Sequence, residues 1–274
     1  MKNNKDERYT YIMDNVNRHL QEVIKDGYEW VFIAVQGSQN YNLDIYDKDY
    51  VSDIDTKVVV LPKFEDIIKN KQPISFTKVL DNNEHIDVKD IRVMFETYKK
   101  QNVNYIETIF TPYKIVNKKY ADLINPLFEN KEKIAHLNIN QALRCMAGMS
   151  MEKLKALQHP YPTIIDKIEK FGYDPKQLHH ILRMNEFIKK YAEGKSYEDC
   201  LIPDNIDYFI DIKKGKLPVE EAVKLANDVD KDTNEIKNKY VTEKDELDTE
   251  TIYMLEDIIY LIIKRRFKEQ IMEE

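Results

Sequence analysis

The sequence predicts an α+β fold, with a small mixed β-sheet and flanking helices in the first part of the chain and an all-helical domain after it. Three observations predict this. Apolar, β-branched runs at residues 31–35 and 58–61 read as neighbouring buried strands. Residues 74–80 and 84–88 read as a hairpin turning on Asp81-Asn82-Asn83. From Glu132 onward apolar residues recur at helical spacing, and no strand-like alternation of any length competes. The change of pattern falls within residues 117–131, so we assign domains to residues 1–125 and 126–274.

The opening segment carries Tyr9, Ile12, Val16, Leu20 and Ile24, a near-regular spacing of four that predicts a helix closed by Gly27. The first strand follows at once. Pro62 ends the second strand, and residues 64–69 make a short helix or turn. In the second arm of the hairpin, His85, Asp87 and Lys89 alternate with Ile86 and Val88, so a strand presents Asp87. Asp90 is placed to cap a helix running to about Gln101, with Ile91, Met94, Phe95 and Tyr98 on one face. A short apolar segment around Ile106 and Phe110 ends at Pro112. Helices are then expected over residues 137–157, 176–191, 218–240 and 251–270, with the charge-dense stretch 228–250 as a solvated helix face or mobile loop.

Composition narrows the classes of function. The chain has 274 residues, 33% of them charged, and its longest apolar run near the C-terminus, residues 258–263, is far short of a membrane span. No secretory signal opens it, since MKNNKDERYT is polar, and cytoplasmic residence is the expectation. Cys145 and Cys200 lack metal-site spacing and read as packing residues. A formal charge of −7 gives no general attraction to nucleic acid, although 42 Lys and Arg leave room for a local basic groove.

Residues 30–61, WVFIAVQGSQNYNLDIYDKDYVSDIDTKVVVL, hold the chemistry. Gly37-Ser38 follows a buried strand, where glycine lets backbone amides approach a phosphate and the hydroxyl adds a contact. In a strand, Asp53 and Asp55 project together while Ile54 points away. Paired carboxylates repel unless a cation sits beside them, and hard oxygen ligands suit Mg2+ or Mn2+. Taken singly, a Gly-Ser ordinarily ends a strand and an Asp-x-Asp ordinarily sits in a solvated turn. The ordered series of strand, Gly-Ser, turn, Asp-x-Asp, strand, hairpin and Asp87 points instead to phosphoryl transfer. In the helical half, Lys176, His180 and Arg183 fall on one helix face behind the cap signal Asp174-Pro175. Arg144 and Lys153 lie on the helix before it.

From IAVQGSQNYNL through SDIDTKVVV, this stretch resembles the core signature of the DNA polymerase β-like nucleotidyltransferase superfamily. More narrowly, the segments HIDVKDIRVMF, Asn104 to Glu107 as Asn-x-x-Glu, and GYDPKQLHHILR are similar to those of predicted nucleotidyltransferases of bacteria and phages. The resemblance spans roughly residues 30–200. It implies that Asp53 and Asp55 bind metal, that Asp87 supplies the third carboxylate, and that Gly37 and Ser38 contact the triphosphate. Glu84 and Asp90 are the neighbouring alternatives for the third acid; strand alternation favours Asp87, and capping accounts for Asp90. The similar helical motif extends the nucleotide contacts to Lys176, His180 and Arg183. The cofactor implied is Mg2+ or Mn2+ in a two-metal mechanism.

The activity expected is transfer of a nucleoside monophosphate from a nucleoside triphosphate to a hydroxyl. The acceptor is left open between an RNA 3′ end, a protein and a small molecule, and no membrane partner is expected. The alternative is a catalytically weak nucleotide sensor or antitoxin-like binding partner whose helical half forms the interface. Asn104 and Glu107 are read as a structural pair fixing the turn into residues 106–110, with reach of Glu107 into the cleft left as the alternative. Tyr41 is a candidate base-stacking residue, weakened by the presence of 18 tyrosines.

Overall fold

The computed structural model describes residues 5–48, 50–244 and 246–272. It has the α+β architecture expected, and the chain forms two compact units. One comprises Met1–Asn40, Asp44–Leu137 and Leu247–Glu274; the other comprises Tyr41–Leu43 and Asn138–Glu246.

The first unit opens with α1 (Lys5–Lys25), followed by β1 (Trp30–Gln36), a 3-10 turn (Ser38–Tyr41) and β2 (Asp55–Val60). Next come α2 (Phe64–Ile68), β3 (Ser75–Val79), β4 (His85–Asp90), α3 (Ile91–Lys99) and α4 (Val103–Phe110). The strand β5 (Lys114–Val116) and helices α5 (Ala121–Glu129) and α6 (Lys131–Ala135) follow. The strands form one sheet in the order β3-β4-β2-β1-β5, parallel between β2 and β4 and antiparallel elsewhere. The three-residue β5, paired with β1, is too short to give a legible alternation and was not expected from the sequence.

Strand alternation divides the sheet's two faces. Ile33, Val35, Val58, Val60, Ile86 and Val88 pack with Ile12, Val16, Leu20 and Val23 of α1 in one buried cluster. His19 joins the buried side of α1, whereas Tyr9 and Ile24, counted among its apolar positions, are exposed. The opposite face meets α3 and α4. Asp90 caps α3 as expected, its carboxylate accepting from the Arg92 amide at 2.9 Å and from the Arg92 guanidinium at 2.8 and 2.7 Å. The hairpin turn forms where Asn83 takes a positive φ of 64°.

In the second unit, α7 (Ile139–Ala156), α8 (Ile165–Phe171) and α9 (Pro175–Ala192) precede α10 (Tyr197–Leu201), α11 (Ile206–Lys213) and α12 (Val219–Tyr240). The central helix is α9, which touches α7, α10, α11 and α12 and buries Leu178, Ile181, Met184, Phe187 and Ile188. Asp174 caps it from outside, accepting from the Lys176 amide at 3.0 Å, and Pro175 sits in its first turn.

The last helix, α13 (Thr249–Met272), belongs to the sheet-containing unit. Leu255, Ile258 and Ile262 are buried, α13 touches α3 and α5, and Arg265 makes a two-pronged pair with Asp122 at 2.6 and 2.7 Å. A sequence boundary drawn by element type cannot show that a late helix returns to the earlier unit. Among the described residues, no helix is long and apolar enough to cross a membrane.

Candidate functional site

The antiparallel register of β1 and β2 determines what meets at the end of the sheet. Gln36 pairs with Asp55, so the Gly37-Ser38 turn leaving β1 lies beside the segment that enters β2. Gln39 ties the two together, its amide donating to the Asp53 carbonyl at 2.8 Å. Gly37 takes a φ of +96°, backbone that L side chains rarely adopt, and a Cβ there would otherwise meet open space. Its N–H donates to the buried Glu107 carboxylate at 2.9 Å, which fixes the turn from α4. Glu107 thus reaches the Gly-Ser turn and occupies the Gly37 amide expected to meet phosphate.

The Asp-x-Asp segment is only partly in a strand. β2 begins at Asp55, and Asp53 precedes it, yet the alternation persists, with Asp53 exposed, Ile54 fully buried and Asp55 between. Asp55 Oδ1 accepts from the His85 backbone N–H at 2.8 Å. In return, the Ile54 N–H donates to Glu84 Oε1 at 3.3 Å. The start of β4 therefore grips the segment from both sides.

Glu84 turns toward α1, where His19 Nε2 lies 3.0 Å from its carboxylate and Arg18 pairs with it. His19 Nδ1 lies 2.9 Å from Thr56 Oγ1. Burial pushes the Glu84 carboxyl up, but hydrogen bonds from His19, Asn82 and Arg18 outweigh it and hold the group at about 2. With those partners Glu84 is a brace behind the segment, which removes it as the alternative third acid. The arrangement of Thr56, His19 and Glu84 superficially matches a nucleophile, base and orienting carboxylate. Both Thr56 and His19 are fully buried, so no substrate reaches them.

Asp87 faces the other way, toward α4. In the parallel register it pairs with Lys57, two residues beyond Asp55 on the same face of β2. Lys57 Nζ lies 2.6 Å from Asp87 Oδ2, and Thr77 Oγ1 donates to Asp87 Oδ1 at 2.5 Å. The Lys57 side chain is 4% exposed and its ammonium sits 4.2 Å from the centre of the Tyr105 ring. Burial lowers the Lys57 pKa. Burial also pushes Asp87 up, but the charge and hydrogen bond of Lys57, with Thr77, hold it below the ordinary carboxylate range. Lys57 was missed in the sequence reading, although the signal was present: Asp55-x-Lys57 on one strand must share a face.

These positions test the expected metal site. Among the described residues, no group of three or more His, Cys, Asp or Glu could hold a metal ion. Each Asp87 oxygen accepts one contact, from Lys57 and from Thr77. Asp53 and Asp55 are the other two acids of the expected set, and Asp55 Oδ1 already accepts from the His85 N–H.

Lys176, His180 and Arg183 lie on α9 in the second unit, but they differ in kind. Lys176 is exposed and His180 half-buried, while Arg183 is 3% exposed. Burial lowers the His180 pKa well below the ordinary value, as do His179, Arg183 and Lys176, so the ring is neutral near pH 7. The guanidinium of Arg183 covers the Tyr41 ring at 3.9 Å, and Tyr41 is 2% exposed. Tyr41 is therefore packed against Arg183 rather than presented for base stacking. Of the three α9 residues, Lys176 is the exposed cation. Arg144 is exposed on α7, and Lys153, on the same helix, is half-buried.

No protein-family model matches the chain. No curated protein matches it either. Among solved structures it is similar to a nucleotidyltransferase-like protein from Exiguobacterium sibiricum, at 12% identity and a TM-score of 0.30, over 83% of this chain and 75% of that one. A likeness at that score carries no argument about fold or activity.

Proposed function

We propose that this chain is a nucleotidyltransferase that moves a nucleoside monophosphate from a nucleoside triphosphate to an acceptor hydroxyl. The observation that carries the proposal is the meeting of the Gly37-Ser38 turn with the Asp53–Asp55 segment at one end of the sheet, set by the Gln36–Asp55 register and the Gln39–Asp53 hydrogen bond. In the reaction, the acceptor oxygen attacks the α-phosphorus, the bond to the bridging oxygen breaks, pyrophosphate leaves with that electron pair, and the acceptor proton passes to water. Ser38, on the turn that Gly37 opens, contacts phosphate. Asp53 and Asp55 hold the metal-bound triphosphate in place. The acceptor is a hydroxyl of an RNA 3′ end, a protein or a small molecule.

The test uses labelled ATP, CTP, GTP and UTP with Mg2+ or Mn2+ and total RNA, protein or small-molecule acceptors. Label transfer and pyrophosphate release by the wild type, lost in the Asp53→Ala/Asp55→Ala double variant, support the proposal. Activity that survives in the double variant overturns it.

A second reading, a nucleotide-binding sensor or antitoxin-like partner, is favoured by one observation. The chain's own groups already occupy two of the expected contacts, Glu107 on the Gly37 amide and Lys57 on Asp87. Metal-dependent nucleotide binding with no transfer to any acceptor selects this reading.

A further inference from the structure

We propose that α13 is a dimerisation helix, which packs antiparallel against the α13 of a second copy of this chain through the face opposite its buried residues. A surface helix needs one apolar stripe, and α13 has two. The first, Leu255, Ile258 and Ile262, is buried in the sheet-containing unit. At about 100° per residue, the opposite stripe carries Tyr253 and Tyr260, 66% and 58% exposed, with Leu261 and Ile271 exposed beside them. Ion pairs within the chain hold the two flanks, Glu256 with Lys99 on one and Arg265 with Asp122 on the other. Beside Leu261 the exposed stripe runs into a groove lined by Met254 and by Leu123 and Pro126 of α5, so the apolar surface is continuous rather than scattered.

The charges on this stripe identify its occupant. Asp257 lies three residues before Tyr260 and Lys264 three residues after Leu261, while Tyr253 and Lys268 lie seven residues out on either side. A two-fold axis between Tyr260 and Leu261 therefore sets Tyr260 against the partner's Leu261, Asp257 against the partner's Lys264 and Tyr253 against the partner's Lys268, each contact made twice. A parallel copy would instead oppose Asp257 to Asp257 and Lys264 to Lys264, and an unrelated partner requires no such symmetry. Among the described residues neither Asp257 nor Lys264 has an ion pair, and Lys264 rests 5.2 Å from the centre of its own Tyr260 ring, within the stripe. The helix dipole accounts for acids early in α13 and bases late. It does not account for two tyrosines and a leucine placed between them on the exposed side.

Sedimentation equilibrium of the full chain over a range of concentrations tests this. The wild type is expected to be a dimer, and Leu261→Glu a monomer at concentrations where the wild type is dimeric. Asp257→Lys and Lys264→Asp, taken singly, each weaken dimerisation about tenfold or more, because each places like charges together twice. An equimolar mixture of those two variants restores both opposite-charge pairs and forms a heterodimer of about wild-type strength. Circular dichroism melts establish that each variant is folded, and if Leu261→Glu does not fold, the charge variants decide. A wild type that stays monomeric into the high micromolar range overturns the proposal, as does a dimer indifferent to Leu261→Glu. Charge variants that leave the dimer unchanged, or whose mixture fails to pair, overturn it as well.

Discussion

Glu84→Gln is expected to change how stability depends on pH. Glu84 is 5% exposed and its carboxylate meets His19, Arg18 and the Ile54 amide. Its carboxyl lies at about 2 in the folded chain against an ordinary value of 4.5. A folded pKa below the unfolded one means that the stabilisation is fully present above pH 4.5 and is lost as the pH falls toward 2. At about 1.4 kcal/mol per pH unit, the separation corresponds to about 3 kcal/mol at neutral pH. Glutamine retains the shape and a carbonyl for the Ile54 amide, but it has no proton to gain over this range. The wild type should therefore exceed the variant by about 3 kcal/mol near pH 7, and the gap should close as the pH approaches 2. Denaturant titrations followed by fluorescence measure this directly, because Trp30 is the only tryptophan and lies in the same compact unit as Glu84. The other carboxylates titrate in both proteins and cancel in the difference. A gap that stays constant from pH 7 to pH 2.5, or no gap at all, would refute the idea that Glu84 is held ionised by these partners.

Two further predictions concern the second unit. Gly172→Ala should destabilise more than Gly194→Ala in thermal melts. Both have a positive φ, 76° and 78°, but only a Cβ at Gly172 collides with packed structure, 2.8 Å from Val219 Cγ2. The conformational penalty common to both is about 1–2 kcal/mol, and overpacking adds about 1–3 kcal/mol at Gly172 alone; equal losses would contradict the model of the contact. Asn140→Ala should cost about 1–3 kcal/mol and speed hydrogen exchange at residues 241–244. Its amide donates to the Thr242 and Lys244 carbonyls at 3.2 and 3.1 Å and accepts from the Thr242 N–H at 3.0 Å. Unchanged exchange would show that this side chain does not hold the connection.

Several parts of this protein were legible in the sequence because they depend on local periodicity. Apolar, β-branched runs gave β1 and β2, alternation gave β4, helical spacing gave the long helices, and Asp90 and Asp174 behave as caps because capping needs only a side chain and the next few amides. The out-in-out order of Asp53, Ile54 and Asp55 was equally local, and it survives even though the strand starts only at Asp55. The partners of these side chains were not legible. Which acid Lys57 meets depends on β4 lying parallel to β2 in one register, across a separation of 30 residues. Glu84 is a brace rather than a metal ligand because α1 brings His19 and Arg18 to it from 65 and 66 residues away. Arg183 has the charge of a phosphate contact, yet it is buried over Tyr41. Sequence by itself determined where the carboxylates sit along the chain and which way each one faces. Only the tertiary structure decided which of them are already neutralised, because a side chain's charge is local while the groups that compensate it arrive from distant segments through sheet register and helix packing.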